Sequence, residues 1–163
     1  DLIYFGGVTD SNAGQLTKDI RSAGVKCPLL VPDGCFEDAF IQSAGASNLN
    51  GTTYATFGGA PASEWQGKGK EFLARFQEKY GKDSLPEPYS IYGYECAKVA
   101  IEAIRKANRK DRAAILQACL ATKDFDGALG KWSFDANGDT TLTMMSSNVV
   151  KDGQWLFQEY IKE

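Results

Sequence analysis

Few residues in this chain have side chains equipped for chemistry, and that shortage itself narrows the function. Among its 163 residues there is no histidine. The commonest general base and metal ligand are therefore gone, along with every Ser-His or Cys-His nucleophilic pair. Carboxylates remain, and one stands in a suggestive place: Asp33 follows the apolar run PLLVP and precedes Gly34. A carboxylate at the end of a strand can hold a ligand ammonium through charge-assisted hydrogen bonds, while the same Asp-Gly pair also reads as an ordinary turn. Gly6-Gly7-Val8-Thr9-Asp10 lies between another apolar run and a helical pattern. In open α/β sheets that edge is where ligands meet backbone N–H groups, although a tight turn that needs glycine has the same signature. It is not a dinucleotide fingerprint, because no third glycine sits at the required offset.

Three further motifs carry less. Asp135, Asn137 and Asp139 mimic a calcium loop, but Gly138 comes fourth and Ser146 twelfth, where such a loop needs glycine sixth and glutamate twelfth. The segment reads as a turn, and no metal is expected. Gly67-Lys68-Gly69-Lys70 lacks the spacing of a phosphate loop. The cysteines are Cys27, Cys35, Cys96 and Cys119. Cys96 and Cys119 come level in an antiparallel helix pair, which makes them a disulfide candidate; two buried thiols are the alternative.

The elements that must position these residues follow from periodicity. Residues 2–5 read as a strand of a parallel sheet buried on both faces, and a helix then runs to about Ala23 with Gly24 as its stop. Residues 28–32 form the next strand, 36–44 a helix on the stripe Phe36, Phe40 and Ala44, and 52–57 a third strand. This alternation is the mark of a doubly wound parallel α/β sheet. The pattern then changes. Helices are expected over 63–80 with a Ser63 cap, about 89–107 and about 111–121, followed by strands at 131–134, 141–150 and 154–161. Asp152-Gly153 predicts a tight hairpin between the last two.

Hydrophobic content of 43% and charged content of 24% suffice for a packed core. A net charge of −3 leaves no footprint for nucleic acid or anionic lipid. No apolar run reaches the roughly 18–20 residues of a membrane span. Asp1 enters a strand almost at once, with neither an initiator Met nor a signal peptide before it. The expectation is a piece of a longer protein.

The stretches LIYFGGVTDSNAGQL, AGVKCPLLVPDGCFEDAFIQSAG, NGTTYATF, PEPYSIYGYECAKVAIEAI and FDGALGKWSFDANGD, with VVKDGQW near the end, together resemble the type I periplasmic binding proteins. Within that group the leucine/isoleucine/valine-binding family is most similar in order and spacing. The resemblance implies two lobes built on flavodoxin-like, doubly wound parallel sheets, joined by crossovers and closing on a ligand. Residues 1–57 would then belong to the second lobe, 58–140 to the first, and 141–163 would return to the second. The N-terminal half would be missing, and a stable sample would contain it as a second, nicked chain or would form a rearranged dimer.

Carried over residue by residue, the resemblance gives Asp33 the role of gripping a ligand α-ammonium. Val8 stands where the branched-chain binder has a ligand-contacting tyrosine, and Tyr89 matches an aromatic that closes over the ligand from the opposite lobe. Gly7 and Thr9 complete the candidate ligand-binding set, and no cofactor is implied. Valine in place of tyrosine removes a hydroxyl and leaves room, so the ligand need not be leucine. The implied function is the periplasmic or otherwise extracytoplasmic solute-binding component of an ABC importer, passing an amino acid or analogue to a membrane permease. The alternative is a ligand-sensing receptor or regulator domain of the same fold that binds an amide or aromatic acid. Enzymatic function is not expected, since histidine and a nucleophile elbow are both absent.

Overall fold

The computed structural model describes residues 1–161. Its elements run β1 (Ile3–Tyr4), α1 (Ala13–Ser22), β2 (Leu29–Val31), α2 (Asp38–Ala44), α3 (Ala46–Leu49), β3 (Thr53–Gly58) and α4 (Gly67–Tyr80). They continue with α5 (Ser90–Ala107), α6 (Arg112–Leu120), β4 (Phe125–Gly127), β5 (Gly130–Trp132), β6 (Met145–Lys151) and β7 (Gln154–Ile161). The chain forms two units, one of Asp1–Ala60 with the segment from Met144 onward, the other of Pro61–Thr143.

In the first unit the sheet order is β1-β2-β3-β6-β7. The first three strands are parallel, as the strand–helix–strand alternation predicts, with Ile3 opposite Leu29 and Leu29 opposite Thr53. β6 and β7 then join antiparallel, so the sheet is mixed. The β6–β7 turn is the expected hairpin: Asp152 and Gly153 both take positive φ, 51° and 75°, the twist that a two-residue connection needs. Period-2 burial follows from the pleat. Thr53, Ala55 and Phe57 point into the core from β3, while Val149 and Val150 are buried on β6. Phe40 and Leu49, both at 0% exposure, pack from α2 and α3. Burying each of these side chains contributes roughly 1.5–3 kcal/mol. Arg21 at the end of α1 donates to the carbonyls of Asn48, Val25 and Cys27, tying the helix to the segment that leads into β2.

Several expectations are corrected here. Among the described residues β1 lies at one end of the sheet order, and Leu2 is 57% and Tyr4 62% exposed there, where burial on both faces was expected. Only Ile3 within the strand is half-covered. α2 begins at Asp38, because Asp33–Cys35 forms its own 3-10 turn and Glu37 is extended (φ −151°). The two units divide after Ala60 and after Thr143, three residues beyond the expected 57 and 140. β3 continues through Gly58, and the Gly59 N–H still donates to the Met144 carbonyl at 2.8 Å. Pro61 has no N–H with which to continue the ladder.

In the second unit α5 presents Ile91, Glu95, Val99 and Ala103 as its buried stripe, at a spacing of four. α6 packs along α5, its first turn capped by Asp111, which accepts the Ala114 N–H at 2.7 Å. The expected Ser63 cap is not formed. Residues 62–64 make a separate 3-10 turn, Trp65 is extended and buried, and α4 starts at Gly67. The short antiparallel pair β4–β5 includes a strand that periodicity does not reveal, since FDG is too short to alternate.

Candidate functional site

Two turns emerge from the same end of neighbouring parallel strands and lock together. After β1, Gly7-Val8-Thr9 leads into a 3-10 turn; after β2, Asp33-Gly34-Cys35 forms another. The Thr9 hydroxyl donates to the Gly34 carbonyl at 3.3 Å, and the Cys35 thiol points to the Gly7 carbonyl at 3.8 Å. A Cβ built on Gly34 would lie 2.5 Å from Val8 Cγ1, so this contact leaves no room for a side chain at position 34. The turns are seated on an aromatic cluster. Phe36 contacts Phe57 and Trp155 with ring centroids 5.2 and 5.3 Å apart, and the Trp155 indole N–H donates to the Glu37 carbonyl at 3.3 Å.

Sequence reasoning put Gly7, Val8, Thr9 and Asp33 in one ligand-binding set, and the structure brings these four together. Asp33 is exposed. One of its oxygens accepts the Gly34 N–H at 2.9 Å, which fixes the carboxylate at the turn while its other oxygen has no hydrogen bond among the described residues. Val8, 47% exposed, packs against the next residue, Gly34. Such an arrangement offers a pre-oriented anion next to a small apolar surface, which suits an ammonium group attached to a hydrocarbon. Tyr89, 53% exposed at the start of α5, belongs to the second unit.

Cys35 lies beneath the turns with no exposed surface. Burial pushes its thiol up from 9.0 to about 11; the Thr9 hydrogen bond opposes the shift, and the carboxylates of Glu37 and Asp33 add to it. The group is a packing thiol, protonated at neutral pH, and not a nucleophile. The Cys96–Cys119 candidate pair is not bridged: all four cysteines are free. Cys96 is exposed, one residue out of phase with the buried Ile91–Glu95–Val99 stripe, and about 100° of helical rotation turns it from that face. At 135–139 the turn is held by Asp135, whose carboxylate accepts the N–H groups of Asn137 and Asp139 at 2.8 and 2.9 Å. These bonds, Asp139 first, draw its carboxyl below the usual range.

Glu95 was missed by sequence reasoning. It is 2% exposed, and its carboxylate accepts the Ala128 N–H at 2.8 Å, the Trp132 indole N–H at 2.9 Å and, longer, the Leu129 N–H at 3.4 Å. A Cβ on Gly127 would fall 1.6 Å from Glu95 Oε1, so glycine is what allows the hairpin to come this close. The signal was available: a glutamate occupying an apolar stripe at i, i+4 is either buried and paired or misplaced. Also in the second unit, a cleft of about 230 Å³ is lined by Lys68, Glu71, Phe72, Arg75, Tyr94 and Lys98. Beside it, Lys68 pairs with Asp126 at 2.6 Å and holds that carboxyl below its usual range, with Lys98 and Lys131 adding to the effect.

Comparison with known proteins shows the family. Residues 1–154 match the family model described as periplasmic binding protein. The chain belongs to that family. It is a type I periplasmic binding protein chain by fold, similar to leucine binding protein LivK of Thermotoga maritima (TM-score 0.86, 27% identity), covering 99% of this chain and 44% of that one. A second similar structure is the branched-chain amino acid transporter substrate binding protein LivJ of Streptococcus pneumoniae, solved with isoleucine (TM-score 0.84, 26% identity). There the match covers 100% of this chain and 45% of that one. Among curated relatives, Leu/Ile/Val-binding protein homolog 2 of Brucella abortus is 27% identical over 143 residues, 88% of this chain and 36% of that protein. This binding-protein chain thus spans between about a third and a half of the length of the relatives it matches.

Proposed function

We propose that this chain is part of the extracytoplasmic solute-binding component of an ABC importer, and that the solute is an amino acid or a close analogue. The observation that carries the reading is the pair of interlocked turns after β1 and β2, in which Val8 packs against Gly34 and the Gly34 N–H fixes the Asp33 carboxylate. A zwitterionic solute needs a fixed anion for its ammonium and a covering surface that removes water. Asp33 supplies the first. The family resemblance assigns Tyr89 to the second role, where its ring adds area and cation–π attraction. Gly7 and Thr9 shape the turn that Asp33 faces. Relatives named for leucine, isoleucine and amino-acid binding support this solute class. Delivery to a membrane permease outside the cytoplasm, and the absence of turnover, belong to the same reading.

Calorimetric titration of the protein with leucine, isoleucine, valine and phenylalanine tests it directly. At least one is expected to bind, and Asp33→Ala should weaken that binding on the order of a hundredfold, because the ammonium loses its anionic hydrogen-bond partner. Unchanged affinity in Asp33→Ala would sink the site assignment. Valine at position 8, less bulky than tyrosine, is expected to shift preference toward larger side chains, and Val8→Tyr should reverse that order.

A further inference from the structure

The cleft in the second unit is not used by the solute site, and its lining is unlike the apolar interior of a small-molecule pocket. Lys68, Glu71, Phe72 and Arg75 stand at i, i+3, i+4 and i+7 on α4, so one helix face presents all four. Tyr94 and Lys98, four apart on α5, form the other wall. The floor is aromatic: the Phe72 and Tyr94 rings lie 4.8 Å apart. The rim is cationic, with three positive side chains against the single carboxylate of Glu71. Lys68 is already paired with Asp126. The Lys98 ammonium sits over the Tyr94 and Phe125 rings, 5.4 and 6.0 Å from their centroids, and Arg75 makes no ion pair or hydrogen bond among the described residues. Two cations are therefore available on a chain whose net charge is −3.

We infer that this α4–α5 face docks an acidic segment of a partner protein, with Arg75 and Lys98 receiving its carboxylates over the Phe72–Tyr94 floor. A small-molecule site of similar size would be mostly apolar and would enclose its ligand. Here the charged groups are long side chains, exposed at Lys68, Glu71 and Arg75 and half-buried at Lys98, as at a protein–protein rim where charge sets orientation and encounter rate. Under the proposed function, which this inference rests on for its biological setting, the membrane permease is the partner that would carry such a segment.

The test uses fluorescence polarisation of a labelled oligoglutamate peptide at low and physiological salt, with labelled oligolysine as control. Oligoglutamate is expected to bind, and Arg75→Glu combined with Lys98→Glu should weaken it by about tenfold or more. The paired reversals Lys18→Glu and Lys26→Glu, on exposed lysines of the first unit, should leave it within about twofold. No binding, equal loss in both double variants, or binding indifferent to Arg75→Glu/Lys98→Glu would overturn the inference. Displacement of the peptide by benzoate would overturn it in favour of a small-anion site. Calorimetry of the Arg75→Glu/Lys98→Glu variant with amino acids separates the two claims, since solute binding should be unaffected by it.

Discussion

The turn that carries Asp33 and the hairpin gripped by Glu95 both depend on a carboxylate, yet they use it in opposite ways. Asp33 is exposed, with one oxygen committed to the next residue's N–H and the other without a hydrogen bond among the described residues. Glu95 is buried and engages three N–H donors, two of them within 2.9 Å. The first carboxylate is held in place by the backbone and aromatic packing around it, and its own bonding contributes little to the fold. The second is itself the fastener of β4–β5. A carboxylate left with spare acceptor capacity at a rigid turn is equipped for binding; one whose capacity is used up in the core is structural.

Substitutions should separate these roles, and the largest effect is expected at Glu95. Glu95→Ala strands the Ala128 and Trp132 donors and should cost about 2–4 kcal/mol in urea unfolding. Glu95→Gln keeps one acceptor and should lose roughly half of that. Asp33→Ala, by contrast, should stay within about 0.5 kcal/mol of the parent. Comparable losses at both positions would erase the distinction.

Gly127→Ala forces a methyl group against Glu95 Oε1 and should cost about 1–3 kcal/mol in the same assay. Gly34→Ala meets Val8 Cγ1 at 2.5 Å and Val8 Cβ at 3.2 Å, so its cost should be about 1–2 kcal/mol, and Val8→Ala, which removes the nearer contact, should restore part of it. A double-mutant cycle reads that coupling. If Val8→Ala gives no rescue, the two turns are not locked by this contact.

The smallest expected effect is one of pH. Below about 9 the Cys35 thiol is protonated whether the chain is folded or not, so stability does not depend on it. Between 9 and about 11 the unfolded chain gives up the proton first, and stability should fall as pH rises through that window. Chemical denaturation at several pH values, compared with Cys35→Ala, isolates the slope. The same burial predicts that a thiol reagent modifies exposed Cys96 well before Cys35.

Much of this was legible in local chemistry. Asp152-Gly153 reads as a two-residue hairpin because the left-handed backbone it needs suits few other pairs. The three parallel strands follow from apolar runs separated by helical patterns, and the pairing of Gly7-Val8-Thr9 with Asp33 follows from strands that are neighbours in both sequence and sheet. Elsewhere the letters misled. LIYF reads as a doubly buried strand, whereas among the described residues it has a single neighbour, β2. Ser63 reads as a helix cap, yet Trp65 gains more by burying its ring than by continuing a helix from there.

What the sequence determined by itself was the set of local conformations: which stretches pleat, which coil, and where the chain must turn. Those choices depend on neighbours a few residues apart, and such neighbours are visible in one dimension. Only the tertiary structure decided the fate of each polar group. Glu95 and Asp33 are both acids beside apolar residues in the sequence. One is hydrogen-bonded by donors 33 and 37 residues away, while the other keeps an oxygen without a hydrogen bond among the described residues at the end of a strand. Desolvation depends on everything that surrounds a group in space, and that is settled only when distant segments pack.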